Sequence, residues 1–208
     1  MKTQTRPLVS AIVRQFGHPR GAAGAAAGLV MAHRPSNRER NRWVASLLDV
    51  QPTDRILEIG FGPGLAIAEL SRRIGPSGHV YGVDRSDVML RQATRRNASA
   101  IAAGSVTLVV GSVEELPPAL DGPFDAILAV NSLAFWTAPA QRLEDLRERL
   151  APGGRIAIVS QPRAATNTPA REISDLLEAA GFDGVRTEVL DLDPPAVCVL
   201  ATNPRPAV

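Results

Sequence analysis

Apolar residues fall along this chain in two alternating rhythms, short continuous runs and longer stretches spaced by three and four, which predicts strands and helices taking turns. Ile56, Leu57 and Ile59 form a first strand. Leu65 to Ile74 follows as a helix, with Ile67, Leu70 and Ile74 on one face and Gly75 placed to end it. His79 to Val83 reads as a second strand ending in Asp84. Ser86 then caps a helix that shows Met89, Leu90 and Ala93 to the sheet and runs to about Ala103. Val106 to Val110, Phe124 to Val130 and Arg155 to Ser160 supply three more strands. Pro139 opens a helix carrying Leu143, Leu146 and Leu150, acidic early at Glu144 and Asp145 and basic late at Arg147 and Arg149. Thr168 and Pro169 start another, with Ile173, Leu176, Leu177 and Ala180 on one face and Gly181 closing it. Val185 to Leu190 and Val197 to Thr202 are joined through Asp193-Pro194-Pro195. That link is too short for a helical crossover, so the last pair is antiparallel.

Strands alternating with helices predict an α/β fold, a doubly wound, mostly parallel sheet of seven strands with helices on both faces and an antiparallel last strand. Residues 1–36 are expected to form a partly flexible cap or lid. Residues 11–32 within it are weakly helical, interrupted at Gly17, Pro19, Gly21, Gly24 and Gly28. Residues 37–202 make the ligand-binding domain, opening with a helix whose Trp43, Leu47 and Leu48 form one apolar face. Residues 203–208, with two prolines, are expected to be a disordered tail.

The chemistry concentrates where the first strand meets its helix, at Glu58-Ile59-Gly60-Phe61-Gly62-Pro63-Gly64. Glycines there remove the Cβ atoms that would hold a ligand off the main chain, and the helix start is expected to offer unpaired N–H groups. The spacing is G-x-G-x-G, one residue short of the G-x-G-x-x-G that cradles a pyrophosphate. Glu58 would also repel phosphates, so the turn suits a positively charged ligand without them. About 20 residues on, Asp84 stands where a strand-two carboxylate accepts both hydroxyls of a ribose.

These segments are similar to the class I S-adenosylmethionine-dependent methyltransferases, more narrowly the type 11 methyltransferase group. The likeness runs over about residues 40–202. It rests on Leu57 to Gly64, Gly82-Val83-Asp84-Arg85-Ser86 with Met89, Gly111-Ser112-Val113-Glu114-Glu115-Leu116-Pro117, Phe124 to Ile127 running into Asn131, and Leu150 to Arg155. The resemblance implies a Rossmann-like sheet binding S-adenosyl-L-methionine and releasing S-adenosyl-L-homocysteine. It puts Gly60, Gly62 and Gly64 at the methionine half and Asp84 on the ribose. Glu58, Phe61, Arg85, Ser112, Val113 and Asn131 complete the expected cofactor lining. Many relatives carry an acid where this chain has Ser112, the position that faces the adenine amino group; serine still accepts a hydrogen bond.

Asn131 reads either as a polar contact in the site or as a loop-capping amide. Of Phe135 and Trp136, one is expected to anchor the following helix and the other to wall the acceptor pocket, with Trp136 taken as substrate-side. Arg163 and His33 are the other substrate-side candidates, and His18 lies in the same lid. Methyl transfer leaves a general base optional, and no catalytic residue is assigned.

Composition narrows the partners. The 208 residues suffice for one well-filled domain, with 45% hydrophobic and 21% charged residues. A net charge of +2 gives no argument for nucleic acid, so the expected partner is a small-molecule or lipid-like acceptor. A homodimer is compatible with the sequence. The one cysteine, Cys198, sits in an apolar run and reads as a structural thiol, and the three histidines form no metal-ligand pattern. No stretch is long and apolar enough to span a bilayer, and no signal peptide is visible, so stable membrane insertion is not expected and the cytoplasm is the expected compartment. Two alternatives stay open: a nicotinamide-dependent oxidoreductase, and a non-catalytic cofactor-binding module of the same fold.

Overall fold

The computed structural model of the protein describes residues 34–161 and 168–206. Helix α1 (Pro35–Leu47) precedes strand β1 (Arg55–Ile59), helix α2 (Leu65–Ser71) and strand β2 (His79–Asp84). Helices α3 (Asp87–Arg96) and α4 (Ala98–Ala102) lead to strand β3 (Val106–Val110) and strand β4 (Phe124–Val130). Helix α5 (Pro139–Glu148), strand β5 (Leu150–Ser160), helix α6 (Ala170–Ala179), strand β6 (Asp183–Leu190) and strand β7 (Ala196–Thr202) follow. The sheet has seven strands in the order β3-β2-β1-β4-β5-β7-β6. β1 to β5 pair in parallel, and β7 runs antiparallel to both β5 and β6.

Alternation along the strands explains the two layers. Leu57, Ile59, Ile127, Ala129, Ile156 and Ile158 pack on one face with Leu143 and Leu146 of α5 and Ile173 and Leu177 of α6. Ile56, Val80, Ala126, Leu128, Ala157 and Val159 pack on the other with Val44, Leu48, Ile67, Leu70, Met89 and Ala93 of α1 to α3. Cys198 lies in the second layer, where burial pushes its thiol up to about 12 and leaves it a packing residue.

Four expectations change. The helix after Ser86 breaks at Asn97, whose side-chain amide donates to Gly64 O at 3.2 Å and Ala93 O at 2.9 Å. A bond to the glycine turn thus displaces helical continuity. Leu150 does not close α5 but begins β5 opposite Phe124, where β5 pairs irregularly before resuming at Arg155. The buried face of α1 is Asn37, Arg40, Asn41, Val44 and Ala45 rather than Trp43 and Leu47, which are half-buried at its border. Asn203 is no loose end: its amide donates to Leu150 O at 2.9 Å, and its own carbonyl accepts from Gly153 N at 2.9 Å.

Candidate functional site

Strand order reverses between β1 and β4, which opens a crevice at the carboxyl ends of the strands. Gly60, Ser112 and Asn131 follow β1, β3 and β4, and Asp84 ends β2, so the structure brings the four expected segments to one edge.

The glycine turn works differently from a simple donor nest. Gly60, Gly62 and Gly64 all have positive φ, at 77°, 52° and 76°. Their N–H groups are all committed within the protein: Gly60 to Val83 O at 2.8 Å, Gly64 to Phe61 O at 3.0 Å and Gly62 to Asp84 Oδ2 at 2.8 Å. The glycines themselves therefore offer a ligand surface and not donors. Nor are the three glycines equivalent. A Cβ on Gly60 would meet Ser132 Cβ at 2.7 Å, and one on Gly64 would meet Asn97 Nδ2 at 2.6 Å, whereas one on Gly62 meets nothing within 4 Å among the described residues. Gly60 and Gly64 are glycines for the protein's own packing. Gly62 alone presents bare backbone to open space.

Asp84 braces this surface. Its Oδ2 accepts from Gly62, and its Oδ1 accepts from Ser86 N at 2.9 Å, which orients both oxygens at the crevice. Arg96 Nε donates to Pro63 O at 2.8 Å and holds the turn from α3. Phe61 is 3% exposed in the layer beneath, so the backbone is what it offers a ligand.

Glu58 is in phase with Ile56, and its carboxyl is therefore aimed into the layer under α1 and α2. It is 2% exposed, and its Oε2 has no hydrogen-bond partner among the described residues. Burial, with the negative charge of Asp84 added, holds this carboxyl well above its ordinary range, against the Ile67 N–H and the Arg40 guanidinium. Such a carboxyl gains most from a cation beside it. Asn41 Oδ1, on the buried face of α1, is a second buried acceptor without a partner.

The other expected residues take varied places. Arg85 pairs with Glu114, and Val113 packs its side chain in the core beside Ser112. Asn131, at φ 54°, accepts from Gln161 N at 2.7 Å through Oδ1, the loop-capping use of this amide. Trp136, expected on the substrate side, packs in the core cluster that holds Leu133 and Leu143, and Phe135 is half-buried. Arg163, His33, His18 and the lid up to residue 33 lie outside the described residues.

Two groups escaped the sequence reading. Arg40, 5% exposed, donates through Nη1 to Gln161 Oε1 at 2.6 Å and Asn37 Oδ1 at 3.1 Å. Gln161 in turn donates to Pro194 O at 2.8 Å, so α1 is tied to the ends of β4, β5 and the β6–β7 link. The signal was present: Asn37, Arg40 and Asn41 share a helical phase with Val44 and Leu48. Glu114 is the other. It binds Arg85, accepts from Thr137 N at 2.9 Å and, through its carbonyl, from Arg142 at 3.2 Å.

A family model described as a methyltransferase domain matches residues 56–154. The uncharacterised methyltransferase YdaC of Bacillus subtilis (strain 168) is 32% identical over 186 residues, 86% of this chain and 98% of that protein. The chain belongs to the methyltransferase family. A further relative of this methyltransferase is the ubiquinone/menaquinone biosynthesis C-methyltransferase UbiE of Pseudomonas putida (strain GB-1). The two are 31% identical over 118 residues, 57% of this chain and 46% of UbiE, so the chain spans about half of it. In fold, the methyltransferase resembles a SAM-dependent methyltransferase from Aquifex aeolicus, with a TM-score of 0.69 at 20% identity over 86% of this chain and 98% of the other. The nicotinamide alternative falls with this membership, in keeping with a turn whose glycine N–H groups are all taken and cannot cradle a pyrophosphate. No helix among the described residues is long and apolar enough to cross a membrane.

Proposed function

We propose that this methyltransferase binds S-adenosylmethionine against Gly62 and transfers its methyl group to an O, N or C atom of a small-molecule or lipid-like acceptor. The observation that carries the reading is the open face of Gly62 joined to Asp84, a backbone surface with a carboxylate directly beside it. Asp84 accepts the ribose hydroxyls, Glu58 answers the positive end of the ligand, and Ser112 accepts from the adenine amino group. The bound cofactor supplies an activated methyl group that leaves sulfur in an in-line displacement. What this chain contributes is orientation and exclusion of water, which together supply up to about 7 to 11 kcal/mol in ideal cases. No described side chain is needed as a base unless the acceptor must lose a proton. The likeness to UbiE supports a C-methyl acceptor of lipid character without excluding O or N.

Isothermal titration with S-adenosylhomocysteine and with NAD tests this reading. Saturable heat with the first alone is expected, and binding of NAD alone would overturn it.

A further inference from the structure

Strand β6 ends the sheet, and no described strand lies beyond it. Its register with β7 is regular from Arg186 to Leu190, and Gly184, at φ 62°, lies in the irregular stretch before it. Thr187 and Val189 stand beside Val199 and Val197 on the side of the sheet that α6 covers, and Val185 packs on the same layer. Arg186 and Glu188 stand beside Leu200 and Cys198 on the other side.

This edge is open. Arg186 to Val189 are all exposed, and Val189, at 62%, is with Val110 one of two exposed large apolar side chains among the described residues. Neither Arg186 nor Glu188 forms an ion pair among the described residues. An uncovered edge rich in β-forming residues is a template for another strand. A single charge on such an edge deters pairing. Two of opposite sign, two residues apart on one face, instead fit an inverted copy of themselves. The other edge strand, β3, is Val106-Thr107-Leu108-Val109-Val110 and holds no charge that would select a register.

We propose that β6 is a homodimer interface, pairing antiparallel with β6 of a second copy about a two-fold axis at Thr187. Opposed residues must share a face, so two symmetric copies can pair only in registers that set one residue against its own counterpart. A centre at Arg186 or Glu188 opposes like charges. A centre at Val189 puts Arg186 against Leu192, beyond the strand end. The centre at Thr187 sets Arg186 against Glu188 of the second copy and Glu188 against its Arg186, with Val185 and Val189 meeting each other on the opposite face. Both charge pairs and the exposed valine are satisfied in that one register. Because β6 runs parallel to β1–β5, the parallel strands of the two copies point in opposite directions. The two crevices then open on opposite edges of the joined sheet, and the interface does not depend on what they bind.

Sedimentation equilibrium on the full chain tests the proposal. Wild type is expected to dimerise with a dissociation constant of roughly 1–100 μM, as suits a small interface. Arg186→Glu and Glu188→Arg each oppose like charges at both symmetric contacts, so each variant alone should dimerise about tenfold more weakly or worse. Both residues are exposed, which spares the fold itself. An equimolar mixture of the two variants should dimerise again, since each copy supplies the charge the other lacks. The double exchange within one chain should restore self-association to within about threefold of wild type. A wild type that stays monomeric up to about 200 μM would overturn the proposal. So would a dimer that neither single reversal weakens, which would place the interface elsewhere, or a double exchange that stays as weak as the single variants.

Discussion

At the edge of the sheet where strands begin, carboxylates end on donors: the buried Asp54 takes Arg155 and Gln51 N, and the half-buried Asp125 takes Arg55 N at 2.8 Å. At the opposite edge, Glu58 is buried with an oxygen left unpartnered, Asn41 has an idle acceptor, and Gly62 faces empty space. Among the described residues, buried side-chain acceptors are satisfied at the first edge, which leaves a donor, Arg155 Nε, unpaired, and are left open at the second. Unsatisfied buried acceptors cost stability, so their placement at this edge among the described residues points to where a ligand completes the structure. Arg55, stacked 5.5 Å from the Tyr81 ring and 5.8 Å from Phe124, further seals the finished end.

That contrast can be broken by substitution. The largest effect is expected from Gly64→Ala, which forces a Cβ against Asn97 and Ala93 at positive φ and should lower stability by about 3 kcal/mol in urea unfolding. Gly62→Ala, with no protein neighbour to meet, should cost about 1 kcal/mol of backbone strain yet weaken S-adenosylhomocysteine by about tenfold or more. Equal stability losses at the two glycines would erase the distinction between packing and ligand glycines.

Asp54→Asn, at the finished edge, should lose about 2 kcal/mol of stability as its Arg155 pair is broken, with ligand affinity held within about twofold. A large affinity change there would mean the two edges are coupled. Asp84→Ala should weaken the same ligand by about tenfold, close to 1.4 kcal/mol. Unchanged affinity in titration would take Asp84 out of the site.

The smallest effect concerns pH. Because the folded protein holds the Glu58 proton more tightly than the unfolded chain does, folding is favoured below the ordinary value of 4.5 and is penalised as pH rises above it, up to the raised folded value. Glu58→Gln removes the penalty, so its melting temperature should exceed wild type by about 2–4 °C near neutral pH or above for each kcal/mol relieved, and by nothing below about pH 4. Wild-type affinity for the cationic ligand should rise with pH as Glu58 ionises, and the Gln variant should lose that rise. A melting temperature that falls at neutral pH would show Glu58 already compensated without ligand.

The strands and the crossing pattern were legible in the sequence because one-dimensional alternation directly encodes which face of a strand is buried, as Ile56 and Leu57 illustrate. The glycine turn and Asp84 were legible too, since only special residues suit those places. What escaped was settled by long-range partners. Asn97 breaks its helix to reach Gly64, Arg40 turns a polar phase of α1 inward to reach Gln161, and Gly62 N–H is consumed by a carboxylate 22 residues on. Local propensity carries no record of such contacts. Trp136 illustrates the same limit: next to Phe135 in sequence, it alone is drawn into the core beside Leu143.

The central claim is that the bare backbone at Gly62, braced by Asp84, is the surface on which the cofactor lies. A crystal structure with S-adenosylhomocysteine tests it most directly. The account predicts the nucleoside packed on Gly62, with its ribose hydroxyls on Asp84 and its amino-acid end toward Glu58. Density elsewhere on the protein, with Gly62 still facing solvent, would contradict it.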